Sequence, residues 1–211
     1  MSTPSAVLPL CYFPPVSWLA MAARHDTVAV EVWQSYRKQR YTSRSHIRIT
    51  NKVMTLSVPV GRRNARGPIC EKDVIYQEDW RGNHWRSIQF AYKSSPYFEY
   101  YEEKLKAFFK KEYKSLVELN MASTRFLLEG LGLETQAIET PSLIDTEDYD
   151  GDYRLSFDPA RKVWPDWFKH ESYMQVFEGF EKDLSGLDLL CNLGPEGRLL
   201  LNRSIFLEKS D

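Results

Sequence analysis

The chain has 211 residues, of which 43% are hydrophobic, 27% charged and 14% aromatic. These proportions suit a globular protein of one domain and exclude disordered, collagen-like and coiled-coil chains. A net charge of −1 weighs against a dedicated nucleic-acid binder. Cys11, Cys70 and Cys191 are scattered, with no CxxC pair, which weighs against a disulfide framework or a zinc site and points to reduced thiols.

Residues 7–12 read as an opening strand that Phe13-Pro14-Pro15 breaks. Residues 16–24 form a helix, and the β-branched run 27–33 a second strand, giving a β-α-β start. Residues 40–50 and 53–58 flank Asn51-Lys52 as a β-hairpin. A helical middle section follows. The first helix spans 80–92, with Asp79 as N-cap and Trp80, His84, Ile88 and Tyr92 along one face. The second opens at Ser95-Pro96 and carries Tyr97, Tyr101, Leu105 and Phe108. The third spans 115–131, carries Leu116, Leu119, Ser123, Phe126 and Leu127, and ends at Gly130 or Gly132. Residues 135–140 suit a strand. Residues 142–153 read as an exposed loop, either a lid (about 141–153) or a solvated connector. Ser185-Gly186-Leu187-Asp188 resembles a capping box opening a helix over 187–193, which Gly194-Pro195 stops. Residues 198–201 read as a final short strand or packing segment. The fold class is therefore α/β: one domain over 1–211 with a mixed sheet, the β-α-β start, the hairpin and the helical middle.

The uncharged stretch 6–23 has the apolarity of a secretory leader. It lacks a preceding Lys or Arg, and Pro9, Pro14 and Pro15 interrupt it, so a folded segment of a cytoplasmic protein is expected. No other uncharged run reaches the ~20 apolar residues of a membrane span.

Charge is strongly segregated. Nine basic and no acidic residues lie between Val32 and Cys70, while eight acids and only Arg154 lie between Glu134 and Asp158. The basic stretch meets either an anionic ligand or the chain's own acidic stretch. Within the hairpin, a two-residue period puts Arg40, Thr42, Arg44, His46 and Arg48 on one face and Tyr41, Ile47 and Ile49 on the other. That ladder of donors grips a phosphate or carboxylate, or it is a solvated face. No GxGxxG, GxxxxGK[ST] or GxSxG motif and no HxxxH or CxxC metal pair occurs, so no metal site is evident.

Several stretches together resemble the WbqC-like family of bacteria. They are Tyr12-Phe13-Pro14, residues 36–41 with Ser43-Arg44, the run Leu56-Ser57-Val58-Pro59-Val60, and Asp79-Trp80 through His84-Trp85-Arg86-Ser87-Ile88 to Tyr92 and Ser95-Pro96-Tyr97-Phe98. Asn120 and the run from Leu187 to Pro195 fit as well. The chain departs from the family where Leu8-Pro9-Leu10-Cys11 replaces a His-Gln-Pro-Asn opening, and where Ser43 replaces an Asn. Members of this family are often encoded in O-antigen and other surface-polysaccharide gene clusters. The resemblance supplies that pathway context and not a reaction; within it, the first expectation is an enzyme acting on an activated or phosphorylated sugar, by acyl or aminoacyl transfer, with a nucleotide or nucleotide-sugar as cofactor or substrate. The alternative is a non-catalytic binding or scaffold protein of the same pathway, using the aromatic-rich helices as a partner surface.

On this reading His84, whose ordinary pKa lies near neutrality, is the candidate general acid or base, against a structural helical histidine. Lys38 and Arg44 match family positions and are assigned to anion binding, with Arg48 next. Tyr12 follows the opening strand, where α/β folds place ligands, and is either a pocket residue or a core aromatic. The expected partner is a small-molecule sugar or nucleotide-linked substrate, not nucleic acid.

Overall fold

A computed structural model describes residues 4–50, 52–61, 66–144, 149, 151–158 and 165–205. Strand β1 (Ala6–Pro9), helix α1 (Val16–Ala22) and strand β2 (Thr27–Glu31) form the opening β-α-β unit. The two strands pair in parallel, with Ala6 opposite Val28 and Pro9 opposite Glu31. Both are apolar on both faces because both faces are covered; Ala6, Val7 and Leu8 and the whole of β2 are buried. All of α1 is buried too, packed against two C-terminal helices, α5 (Gly186–Leu193) and α6 (Gly197–Arg203). The uncharged stretch that resembles a leader is thus a central strand and the helix that covers it.

Strand β3 (Arg44–Ile49) and strand β4 (Lys52–Ser57) form the antiparallel hairpin, with Ile49 opposite Lys52. It is a separate sheet, so the parallel and antiparallel pairings do not share one. The expected alternation holds inside β3: Ser45 and Ile47 are buried, while Arg44, His46 and Arg48 are half-buried. It fails before Arg44. Residues 40–43 are a turn entered through Gln39 at φ +69°, so Thr42 is buried instead of facing water.

The middle helices are α2 (Trp80–Tyr92), α3 (Phe98–Lys110) and α4 (Leu116–Gly130). Asp79 accepts from the Gly82 amide and Ser115 from the Glu118 amide, each relieving an orphan N–H of the first turn. The expected stripe of α2 is buried throughout. Ser95 does not cap α3. Its hydroxyl donates back to the Tyr92 carbonyl at 2.6 Å, and the Tyr97 amide docks on Cys191 O before the helix begins.

Strand β5 (Gln136–Glu139) extends the parallel sheet beside β2. Strand β6 (Gly151–Asp152) pairs with the outer side of β1, giving the order β5-β2-β1-β6. The segment read as a loop therefore contributes an edge strand. Residues 145–148 and 150 of the expected lid lie outside the described residues. Residues 198–201 belong to α6, not to a strand. This helix continues from a tight turn at Gly194–Glu196 and buries Leu201. Ser185 caps α5 by accepting from the Leu187 amide, but Asp188 does not complete a capping box. Its carboxylate instead accepts from the Tyr173 hydroxyl at 2.7 Å and from Gln175 Nε2 at 3.0 Å.

Candidate functional site

In an open parallel sheet, ligands bind beyond the carboxyl ends of the strands, where connections diverge to opposite sides. Here the chain leaves β1 toward β2 and returns much later to β6 on the far side of β1. A cavity of about 330 Å³ lies at that edge, a volume within the range of small-ligand sites. Its walls come from the strand ends and the segments that leave them: Pro9, the end of β1, with Leu10 and Cys11; Glu31, the end of β2, with Trp33; and Arg154, Leu155 and Phe157 after β6. Tyr41, Thr42 and Ile69 close one side, with Leu143 at the margin.

A carboxylate network joins the strand ends. Glu31 is 1% exposed. One of its oxygens accepts from the Trp33 amide at 2.7 Å and from Thr140 Oγ1 at 3.2 Å; the other accepts from Arg154 Nη1 at 3.1 Å. Arg154 also grips Asp152 with both edges of its fork, Nε to Oδ1 at 2.8 Å and Nη2 to Oδ2 at 2.9 Å. Those hydrogen bonds hold the Asp152 carboxyl below its usual range and push the guanidinium further up. The only base of the acidic stretch thereby ties β6 to the end of β2.

Among the described residues three cations border the cavity: Arg37, Arg40 and Arg154. Arg154 is neutralised by two carboxylates, and Arg40 pairs with Asp158. The basic and acidic stretches thus meet at the cavity. Among the described residues Arg37 has no acidic partner, and it is exposed. Trp33, which also lines the cavity, is 40% exposed as a residue.

The sequence candidates fall mostly behind or beside this cavity. Tyr12 is fully buried; its backbone neighbours line the cavity, but its ring does not. Its hydroxyl lies 3.0 Å from His84 Nδ1. His84 is 5% exposed, among Tyr12, Trp80 and Phe109. Burial lowers its pKa to about 4, a hydrogen bond with the Ser57 backbone opposing the shift. It therefore stays neutral near pH 7, and it does not line the cavity. Lys38 is exposed one residue beyond Arg37, outside the lining. Arg44 starts β3 and also lies outside it. Arg48 borders a different, polar groove, and three of its hydrogen bonds go to protein acceptors: the Gly179 carbonyl at 2.9 Å, Gln175 Oε1 at 3.2 Å and the Glu178 carbonyl. It clamps the 175–181 turn onto the hairpin.

The Tyr12-Phe13-Pro14 motif is a buried hub. Phe13 has a left-handed φ of +41°, a conformation that must be held by its surroundings. Its amide donates to Ser123 Oγ at 2.9 Å, and its carbonyl accepts from Ser45 Oγ and Ser185 Oγ, each at 3.1 Å. Serines from β3, α4 and the α5 cap thus fix the backbone of one residue on both sides. From the same hub the Tyr12 amide donates to the Tyr41 carbonyl, and Asn120 Nδ2 donates to the Thr42 carbonyl at 2.7 Å. Tyr41 and Thr42 are cavity wall, so the hub positions the site without entering it.

The aromatic helices spend their rings inward: Trp80, Tyr92, Phe98, Phe108 and Phe109 are buried, leaving Phe90 and Tyr100 outside. Among the described residues no cluster of three His, Cys, Asp or Glu side chains could hold a metal, and no helix is long and apolar enough to cross a membrane.

A family model for the WbqC-like protein family matches residues 11–159. The chain belongs to that family. The matched span holds the hub and every cavity residue except Pro9 and Leu10. The chain is also similar to the uncharacterized protein Rv1507c of Mycobacterium tuberculosis, 24% identical over 217 residues covering 90% of this chain and 94% of that protein. No solved structure matches.

Sequence reasoning did not single out Glu31, Trp33, Arg37 or Arg154, which line the cavity, and it placed Arg40 on the hairpin ladder instead. Two signals were present. Glu31 is the sole charge in the apolar run 27–33, and Arg154 is the sole base among eight acids.

Proposed function

We propose that this WbqC-like chain acts in surface-polysaccharide biosynthesis and binds an activated or phosphorylated sugar, nucleotide-linked or not, in the cavity at the carboxyl edge of the parallel sheet. The observation that carries the reading is Arg37 at the margin of that cavity, a guanidinium without an acidic partner among the described residues. A guanidinium fork suits phosphate, and the adjoining Arg40 shares its charge between Asp158 and whatever occupies the cavity. Arg154 holds the floor and is not free to bind. Lys38 adds positive potential from the same connection, while Arg44 and Arg48 stand outside the site. His84 is a positioning group of the hub in this scheme. Acyl or aminoacyl transfer onto the bound sugar is the reaction class we attach to it.

The test is thermal-shift screening against sugar phosphates, nucleotides, nucleotide-sugars and acyl donors, since a ligand that binds the native state raises the melting temperature by mass action. The reading expects sugar phosphates or nucleotide-sugars to raise it, and the rise to vanish in Arg37→Ala. Hits without any response to acyl donors reduce the reading to binding alone. No response to any phosphorylated compound overturns it.

A further inference from the structure

The indole of Trp33 is anchored by its only polar atom, Nε1, which donates to the Thr140 carbonyl at 2.9 Å. Its backbone amide is anchored as well, on Glu31 Oε1 at 2.7 Å. The residue is nevertheless 40% exposed, and it lines the cavity. With its donor already committed, what the ring offers there is apolar π surface and nothing else. A rigidly held aromatic surface left to water is a cost that a stacked ring removes. Four residues on, past Gln34 and Ser35 of the same wall, comes Arg37. One connection therefore supplies a flat apolar surface and a cation, the two elements that recognise a ring joined to a phosphate.

We propose that Trp33 is the platform on which the ring beside the ligand's phosphate stacks, with Arg37 meeting the phosphate. This rests on the anionic-ligand reading above and narrows it to a ligand class, ring-bearing phosphates. The shared chemistry belongs to a nucleotide base and to a hexose alike.

The test is calorimetric titration of the full chain with inorganic phosphate, glucose 1-phosphate and uridine diphosphate, using wild type, Trp33→Ala, Trp33→Phe and Arg37→Ala. Wild type binds at least one ring-bearing probe more tightly than inorganic phosphate. Trp33→Ala weakens that probe by roughly tenfold to a hundredfold, as loss of a stacking partner does, and leaves inorganic phosphate within about twofold. Trp33→Phe, which lacks the donor to Thr140 but keeps a ring, recovers most of the loss. Arg37→Ala weakens all three probes. An effect confined to uridine diphosphate assigns the base to the platform; one on glucose 1-phosphate assigns the sugar. The proposal is overturned if Trp33→Ala weakens inorganic phosphate as much as the ring-bearing probes, if it spares their advantage, or if Trp33→Phe is as poor as Trp33→Ala. In those cases the anionic-ligand reading survives. If wild type binds no probe, both fall together.

Discussion

Replacing Arg154 by Met should expose the energetic cost of the cavity floor. Glu31 is 1% exposed and the Arg154 side chain 9% exposed, so their ion pair is largely cut off from water. Removing one partner of such a pair costs about 3–5 kcal/mol, mainly because the other charge is left buried without compensation. Glu31 would keep its bonds from the Trp33 amide and Thr140 Oγ1, which places the expected loss near the lower end, about 3 kcal/mol. With a urea dependence of about 2 kcal/mol per M, the unfolding midpoint falls by about 1.5 M. Asp152 is 25% exposed and regains water, so it adds little. The double variant Glu31→Gln with Arg154→Met removes the stranded charge and should recover at least half of the loss, which a double-mutant cycle resolves. A loss below about 1 kcal/mol in Arg154→Met, or a double variant no more stable than the single one, would refute the idea that the pair is a buried electrostatic latch.

Acid stability should reflect two opposed groups. His84, lowered to about 4 by burial, contributes stability that is present above its unfolded value of 6.5 and is lost as pH falls toward 4, about 3 kcal/mol in all. His170, also lowered to about 4 by burial, has the same sign. Asp188, raised to about 6 by burial, acts oppositely: the fold gains stability as pH falls from 6 toward the ordinary carboxyl value of 3.8. Urea midpoints between pH 7 and pH 4.5 should therefore fall more steeply in Asp188→Asn than in wild type, and less steeply in His84→Gln. Ser123→Ala strands the Phe13 amide and should cost about 1–3 kcal/mol in the same assay. Asp158→Asn releases Arg40 from a half-exposed pair and should raise affinity for inorganic phosphate about two- to fivefold by calorimetry, the opposite sign to Arg40→Ala.

The parts of the fold set by local chemistry were legible in the sequence. The β-branched, doubly buried β2, the Asp79 cap and the four-residue stripe of α2 are each determined within one element. What failed depends on distant partners. Gly151–Asp152 has no strand signal of its own and becomes β6 only because the outer side of β1 accepts it. Ser95 has the chemistry of a cap but is used to end α2 because Tyr97 docks on α5. The site was harder for the same reason. Period-two reasoning carried the basic ladder back to Arg40, across a turn that Gln39 makes with a positive φ, and so grouped Arg40 with Arg44 and Arg48. The fold separates them: Arg40 faces the cavity, while Arg48 clamps the 175–181 turn. His84 sits in a family-like stretch, yet its helix face points to the core, where Tyr12 meets it. Glu31 and Arg154 are 123 residues apart, and only the parallel pairing of β2, β1 and β6 explains why they touch.

On the proposed function, the anion site lies at the carboxyl edge of the parallel sheet and not on the hairpin. Side-by-side titration of inorganic phosphate into Arg37→Ala and Arg44→Ala tests it most directly, because both arginines belong to the same basic stretch and only Arg37 borders the cavity. Arg37→Ala should remove most of the binding, and Arg44→Ala should leave it within about twofold, because Arg44 stands outside the cavity and its charge is screened by solvent. Binding that survives Arg37→Ala and is lost in Arg44→Ala would place the site on the hairpin and contradict the account.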